Sequence, residues 1–293
     1  MRRRLAAIVT ALALGVTATA LSGCGSASAT AGSGGVAAPT TTLPSARLIV
    51  RAARASARAP GYRVAARLSI EAGQTTGQGT MTGTVQRRGN RGAFSLREIV
   101  AGRTIGVQMR TVGQILYLSG IPDLSTLTHG RTWIRFALGA ATRTSGRADL
   151  QTEAASDPAR YLAYLAAAAG PIERLRTARI RGVPTTRYHA TIDLGRVAAR
   201  LPSAGRAQAR RSIVTLESAI GADTLPVDVW IDAHHLVRQL QLRVALCADQ
   251  QSLPLSMTID PFDYGPVPAV TLPAASDTYD LPPQPSPTSA HAC

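Results

Sequence analysis

Residues 61–71 read Gly61-Tyr62-Arg63-Val64-Ala65-Ala66-Arg67-Leu68-Ser69-Ile70-Glu71. Val64, Ala66, Leu68 and Ile70 alternate with Arg63, Arg67, Ser69 and Glu71, and a period of two places the apolar set on one face of a half-buried strand. The same pattern returns downstream in Met81, Gly83 and Val85, then Phe94 and Leu96, then Ile105, Val107 and Met109. Val112 to Leu118 and Trp133 to Leu138 extend the run to about six strands. The connections are mostly a few Gly, Arg and Asn residues, which join antiparallel neighbours in a meander. Asp123 to Arg131 reads as a longer polar loop.

Working outward, Ser45 to Ala59 predicts a helix: Ser45 caps it, Ala and Arg favour it, and Pro60-Gly61 stops it. A second helix is predicted from Asp157 to Ala169, with Pro158 in its first turn and Gly170-Pro171 as its stop. Strands follow at Ile172–Ile180 and Thr185–Leu194. A helical stretch then runs from about Gly195 to Ile220, interrupted near Pro202. Leu225–Ile231, Leu236–Leu246 and Leu255–Ile259 close the pattern as strands. Few aliphatics fall on the second face of each strand. The expected class is therefore α+β, with one large antiparallel sheet covered by helices on one side.

At the N-terminus, Arg2, Arg3 and Arg4 precede an apolar or small run from Leu5 to Ala20, the layout of an export signal. That run, about 16 residues, is shorter than the roughly 20 a spanning helix needs. Leu21-Ser22-Gly23-Cys24 then resembles the lipobox of bacterial lipoproteins. The resemblance implies removal of residues 1–23 and a diacylglyceryl thioether on Cys24, since only a thiol makes that bond. The expected location is the extracytoplasmic face of the cell membrane, held by lipid. Residues 24–43 are rich in Gly, Ser, Ala, Thr and Pro and read as a flexible tether. Residues 44–281 form the folded domain, and the Pro- and Ser-rich 282–293 reads as a disordered tail.

Hydrophobic residues make up 45% of the 293, enough for a packed core. The formal charge of +15 falls to +12 when Arg2, Arg3 and Arg4 leave with the signal. Every basic residue is Arg, a bias that suggests a GC-rich, actinobacterial genome. Scattered Arg and 4% aromatics disfavour nucleic acid as a partner, while a basic surface suits anionic headgroups or wall polymers. If Cys24 carries lipid, Cys247 and Cys293 form an even pair in an oxidising compartment. Their spacing leaves a disulfide or two free thiols open. Thiol titration of the denatured, unreduced soluble domain separates the two: a bridge leaves no titratable thiol.

Three further segments carry a family likeness. They are Gly182-Val183-Pro184-Thr185-Thr186-Arg187-Tyr188-His189-Ala190-Thr191-Ile192-Asp193-Leu194, Leu225-Pro226-Val227-Asp228-Val229-Trp230-Ile231-Asp232, and Asp263-Tyr264-Gly265. With the lipobox, the early strand pair and Arg131-Thr132-Trp133-Ile134, they resemble the actinobacterial lipoproteins of the LppX/LprG type. That group shares the fold of the outer-membrane lipoprotein carriers (LolA/LolB-like). The resemblance implies a strongly curved antiparallel half-barrel, a concave face closed by helices, and a lipid or lipoglycan bound between them. Its motifs are turns and strands and carry no chemistry.

Catalytic and metal signatures are sparse. The chain has no His pair at i, i+4, no Gly-x-Ser-x-Gly elbow and no phosphate loop. Asp232, His234 and His235 read as a hairpin turn, in which adjacent residues point apart, rather than a metal site. Asp260, Asp263 and Tyr264 lack a nearby nucleophile or oxyanion donor and read as loop hydrogen bonding. The expectation is a non-enzyme without cofactor or metal. A hydrophobic ligand is expected against Leu68, Val85, Leu96, Val107 and Tyr117 of the sheet and Leu162 and Leu165 of a covering helix. A sensor or scaffold that binds a protein partner is the alternative, and it requires a filled core.

Overall fold

In the computed structural model the described residues are 43–72, 75–100, 103–113, 115–122, 128–137, 169–200, 220–248 and 251–281, with single positions between 126 and 217. They build one twelve-stranded sheet. Helix α1 (Leu43–Arg58) comes first. Six strands follow: β1 (Gly61–Ala72), β2 (Thr75–Gln86), β3 (Arg91–Val100), β4 (Arg103–Val112), β5 (Ile115–Ser119) and β6 (Trp133–Ala137). After β7 (Ala169–Ile180) and β8 (Val183–Asp193) comes the short helix α2 (Leu194–Arg200). β9 (Thr224–Asp232), β10 (Val237–Ala248), β11 (Gln251–Phe262) and β12 (Thr278–Asp280) complete the chain.

The strands lie in the order β12-β6-β5-β4-β3-β2-β1-β11-β10-β9-β8-β7. Two meanders, β1–β6 and β7–β11, therefore meet where β1 pairs with β11. Every neighbouring pair is antiparallel except β12 with β6, which is parallel. That edge pairing was not foreseen. Residues 263–277 carry the chain from the middle of the sheet to its rim past the ends of β1, β2 and β3. Along the way Gly265 N–H donates to the Gly61 carbonyl (3.0 Å) and Val270 N–H to Gln86 Oε1 (3.2 Å). Arg91 Nη1 in turn donates to the Val270 carbonyl (3.1 Å).

The register shows why this sequence makes one sheet. Ala66 faces Met81 on one side and Ile259 on the other, Leu96 faces Val107, and Leu118 faces Ile134. Leu240 faces both Ile259 and Val229. Because directly paired residues share a face, every one of these apolar sets lies on the same side. The opposite side carries Arg63, Arg67, Thr80, Thr82, Ser95, Gln108, Gln241, Thr258 and their like. The expected one-sided sheet is what the described residues show.

Helix α1 buries Ile49, Ala52, Ala53 and Ser56, a spacing of three and four that gathers one stripe, while Arg47, Arg51, Arg54 and Arg58 face out. Its stripe joins Leu194 and Val197 of α2 and residues of β7–β11 in the larger core. Asp193 caps α2, accepting from Arg196 N–H at 2.9 Å. A second core gathers Leu96, Val107, Met109, Leu118 and Ile134 with Ile121. A small third one joins Tyr62, Val64 and Val85 where strands β1 and β2 meet residues 263–277. Residues 157–168 of the predicted helix, most of the helical stretch 195–220, the signal, residues 24–42 of the tether and the tail lie outside the described residues, while Ala169, predicted helical, opens strand β7 and Leu43 opens α1. No helix among the described residues is long and apolar enough to cross a membrane.

Candidate functional site

Burial along the apolar face is uneven, and the unevenness defines a site. On the β7–β9 side Ile192, Val227 and Val229 are buried beneath α1 and α2. On the β3–β6 side Val107 is 1% exposed and Leu96 3%. Between these two walls the central strands carry side chains that are mostly half-buried, apart from Leu255 of β11, which is 3% exposed between Ile70 and Val244. The half-buried ones are Leu68 and Ile70 of β1, Leu240, Leu242 and Val244 of β10, and Met257 of β11. One end of this strip is shut by Tyr62, Val64 and Val85. The strip runs toward the other end, where hairpins join β1 to β2 and β10 to β11.

Beside β1, strand β2 presents Gly77, Gly79, Met81 and Gly83 to the same face. The space above Gly83 is taken by the Phe94 ring, but at Gly77 a Cβ would have only the Ile70 carbonyl oxygen near it, at 3.9 Å. A trough thus continues the strip. One transverse row of the register reads Val227, Leu242, Met257, Leu68, Gly79, Glu98, Ile105. It is apolar apart from Glu98, whose carboxyl is pushed above the usual range because burial penalises its charged form.

Leu68 therefore stands within the strip, whereas Val85, Leu96 and Val107 belong to its closed end and wall. Tyr117 corrects the sequence reading. It pairs with Arg110 and Arg135 and lies on the polar face, because period two makes Leu116 and Leu118 the inward residues of β5. The parity of a five-residue strand is easily misread when an aromatic sits between two leucines. Leu162, Leu165, Cys24 and Cys293 lie outside the described residues. Cys247 is in β10, paired with Ser252 of β11.

The polar face holds what the sequence reading missed. Asp228 of β9 accepts from Arg187 Nη2 at 2.7 Å and lies 3.0 Å from His189 Nδ1, both on β8. Burial acts to raise the Asp228 carboxyl, but the hydrogen bonds from Arg187 and His189 outweigh it and hold it below its ordinary value. Arg187 also lies over the Trp230 ring, 5.3 Å from its centre. The i, i+2 spacing of Arg187 and His189 opposite an Asp was the available signal. Asp260 accepts from Gln239 Nε2 (2.7 Å) and Arg67 Nη2 (3.2 Å). Asp263 pairs loosely with Arg63 at 3.7 Å. Tyr264 donates to the Val237 carbonyl at 2.6 Å, and burial pushes its phenol up to about 12. Asp232 spends its oxygens on the hairpin turn and Arg238.

Two grooves open mainly on this polar side. One of about 390 Å³ lies among Arg63, Thr82, Thr84, Ser95, Gln108 and Arg110. The other, about 460 Å³, lies near Ser69, Glu71, Arg243 and Ser256.

The fold and its strip define a class: among the described residues, one large, mostly antiparallel sheet, polar on one face and apolar on the other, with few helices. The chain is similar to the crystal structure of the Mycobacterium tuberculosis lipoprotein LppX, at 14% identity over 78% of this chain and 99% of that one, with a TM-score of 0.46. It is similar to LprF of Mycobacterium bovis at 14% identity, covering 80% of this chain and 100% of that one, with a TM-score of 0.45. A LolA-superfamily protein of Nitrosomonas europaea follows at 12% identity, 74% and 91% coverage and a TM-score of 0.29. In sequence, an uncharacterised 31.2 kDa protein of the rplA-rplJ intergenic region of Streptomyces griseus is 27% identical over 187 residues, 62% of this chain. The aligned stretch spans 58% of that relative's length. No family model matches the chain. At these identities the site is argued from this chain's own residues.

Proposed function

We propose that this chain is an exported lipoprotein, acylated on Cys24, that binds or transfers a hydrophobic ligand in the cell envelope. The observation that supports it is the half-buried strip of Leu68, Ile70, Leu240, Leu242, Val244 and Met257 between two packed walls. Helix α1 covers the β7–β11 half of this face. An acyl chain gains about 25 cal/mol for each Å² of apolar surface it removes from water, so a strip of this kind beside a membrane fills.

Complete burial of Leu96 and Val107 favours a second reading for the β3–β6 half: a filled core in a scaffold that binds a protein partner. The two readings part on one experiment. Signal-less protein is purified, its organic extract analysed by mass spectrometry, and uptake of a fluorescent acyl probe measured. Leu242→Trp places an indole in the strip at a half-buried position. It is expected to weaken uptake at least about tenfold while the melting temperature stays within a few degrees, since Leu242 is only partly buried. Val107→Trp, by contrast, overpacks a closed core and unfolds. An empty extract together with no uptake by the unmodified domain sinks the carrier reading and leaves the scaffold.

A further inference from the structure

Arg47, Arg51, Arg54 and Arg58 are the charged residues of helix α1, which contains no Asp or Glu. Successive helix residues turn by about 100°, so spacings of four, three and four gather these arginines within a sector of about 60°. All four are exposed, and their sector lies opposite the buried stripe of Ile49, Ala52, Ala53 and Ser56. The row is about 16 Å long. Arg174 of β7 pairs with Tyr188, which shares a core with α1, so this exposed arginine stands on the same side of the sheet. Like charges four apart repel, as Arg47 does Arg51 and Arg54 does Arg58, and each such pair weakens the helix. A helix face that is merely solvated ordinarily mixes both signs and avoids this cost. The uniform row therefore calls for a counter-charge outside the chain. Its position names one: α1 is the first described element, and Leu43 stands 19 residues beyond Cys24. Fully extended, a chain of that length reaches at most roughly 65 Å, so a lipid on Cys24 holds α1 close to a bilayer.

We propose that the arginine row of α1 is a docking surface for an anionic lipid bilayer, and that docking turns the apolar face of the sheet, with its strip, toward the lipid. The inference rests on the exported-lipoprotein reading for its location, but the attraction itself needs no acyl chain. Each guanidinium offers a planar fork of donors to phosphate oxygens. The apolar stripe of α1 is spent on the protein core, so the helix is held at the headgroups by charge and does not insert. Each Arg near an anionic leaflet strengthens partition about fivefold, the equivalent of about 1 kcal/mol, and the row of four by roughly several hundredfold.

The test is sedimentation of residues 24–293, made without signal or acyl chains, with lipid vesicles. Vesicles of equal parts phosphatidylglycerol and phosphatidylcholine are expected to carry the protein down at low salt and to release it at high salt. Phosphatidylcholine alone is expected to leave it in solution. Arg51→Gln with Arg54→Gln is expected to weaken binding about 25-fold, and Arg51→Lys with Arg54→Lys to keep most of it. Arg97→Gln with Arg243→Gln removes the same charge from exposed positions on the polar face and is expected to weaken binding less than about threefold. Melting temperatures verify that each variant folds; should the α1 pair not fold, Arg47→Gln with Arg58→Gln makes the same measurement at the ends of the row. Equal binding to both kinds of vesicle, or a polar-face pair that loses as much as the α1 pair, overturns the docking surface. Capture of soluble polyphosphate without binding to vesicles assigns the row to a wall polymer and overturns the bilayer. Binding to neither overturns both. None of these results bears on acylation at Cys24 or on uptake of the acyl probe, so the docking can fail while the lipoprotein reading stands.

Discussion

Cys24→Ala is expected to move the protein out of the membrane fraction, into the medium or into an uncleaved precursor. The thioether needs the thiol, so the variant has no acyl chains. At about 0.8 kcal/mol per buried methylene, two chains of even a dozen methylenes each contribute on the order of 20 kcal/mol of membrane affinity. Little else in the described residues compensates, because none of their helices is long and apolar enough to span. The charge of +12 on the processed chain would still draw the domain to anionic headgroups, by about 1 kcal/mol for each Arg near the surface, and that attraction is lost at high salt. Fractionation after a high-salt wash therefore isolates the lipid anchor. A variant that is processed normally and stays on washed membranes overturns acylation at Cys24.

Asp232→Ala is expected to lower stability by about 3 kcal/mol, a melting-point loss on the order of 10 °C for a domain of this size. Asp232 closes the β9–β10 hairpin as an Asx turn. Its Oδ1 accepts from His234 N–H at 2.9 Å and from Leu236 N–H at 2.8 Å, while Oδ2 accepts from Arg238 Nε at 2.7 Å. The carboxylate side chain is 1% exposed and its Arg238 partner 16%, so truncation leaves a mostly buried cation and two turn N–H groups unmet. Asp232→Asn keeps an oxygen for the turn and is expected to lose about half as much. Thermal denaturation followed by circular dichroism measures both. An alanine variant melting within about 2 °C of the parent would show that the turn is held by His235 in its left-handed conformation (φ 60°) and by strand pairing alone.

Most of the sheet was legible in the chain because period two is a local property. The alternation in 61–71 placed Val64, Leu68 and Ile70 on one face, and the later strands repeated it with short polar turns between. What escaped depended on residues distant in sequence. The parity of β5 is set by its pairing with Met109 and Ile134, so Tyr117 was misplaced. Strand β12 has three residues and no pattern of its own; it exists because residues 263–277 bring it to the rim beside β6. Asp228 met Arg187 and His189 through a strand pairing 39 to 41 residues apart.

By itself the sequence determined the one-sided sheet and the presence of helix α1, each readable from spacing and residue type within a few turns of chain. Only the tertiary structure decided the order of the strands, the two walls with a half-buried strip between them, and the place of Glu98. The physical reason is that a strand's alternation says which side is apolar but not how deeply it is covered. Depth depends on what the sheet register brings alongside, and here β1 pairs with β11 across almost two hundred residues of chain.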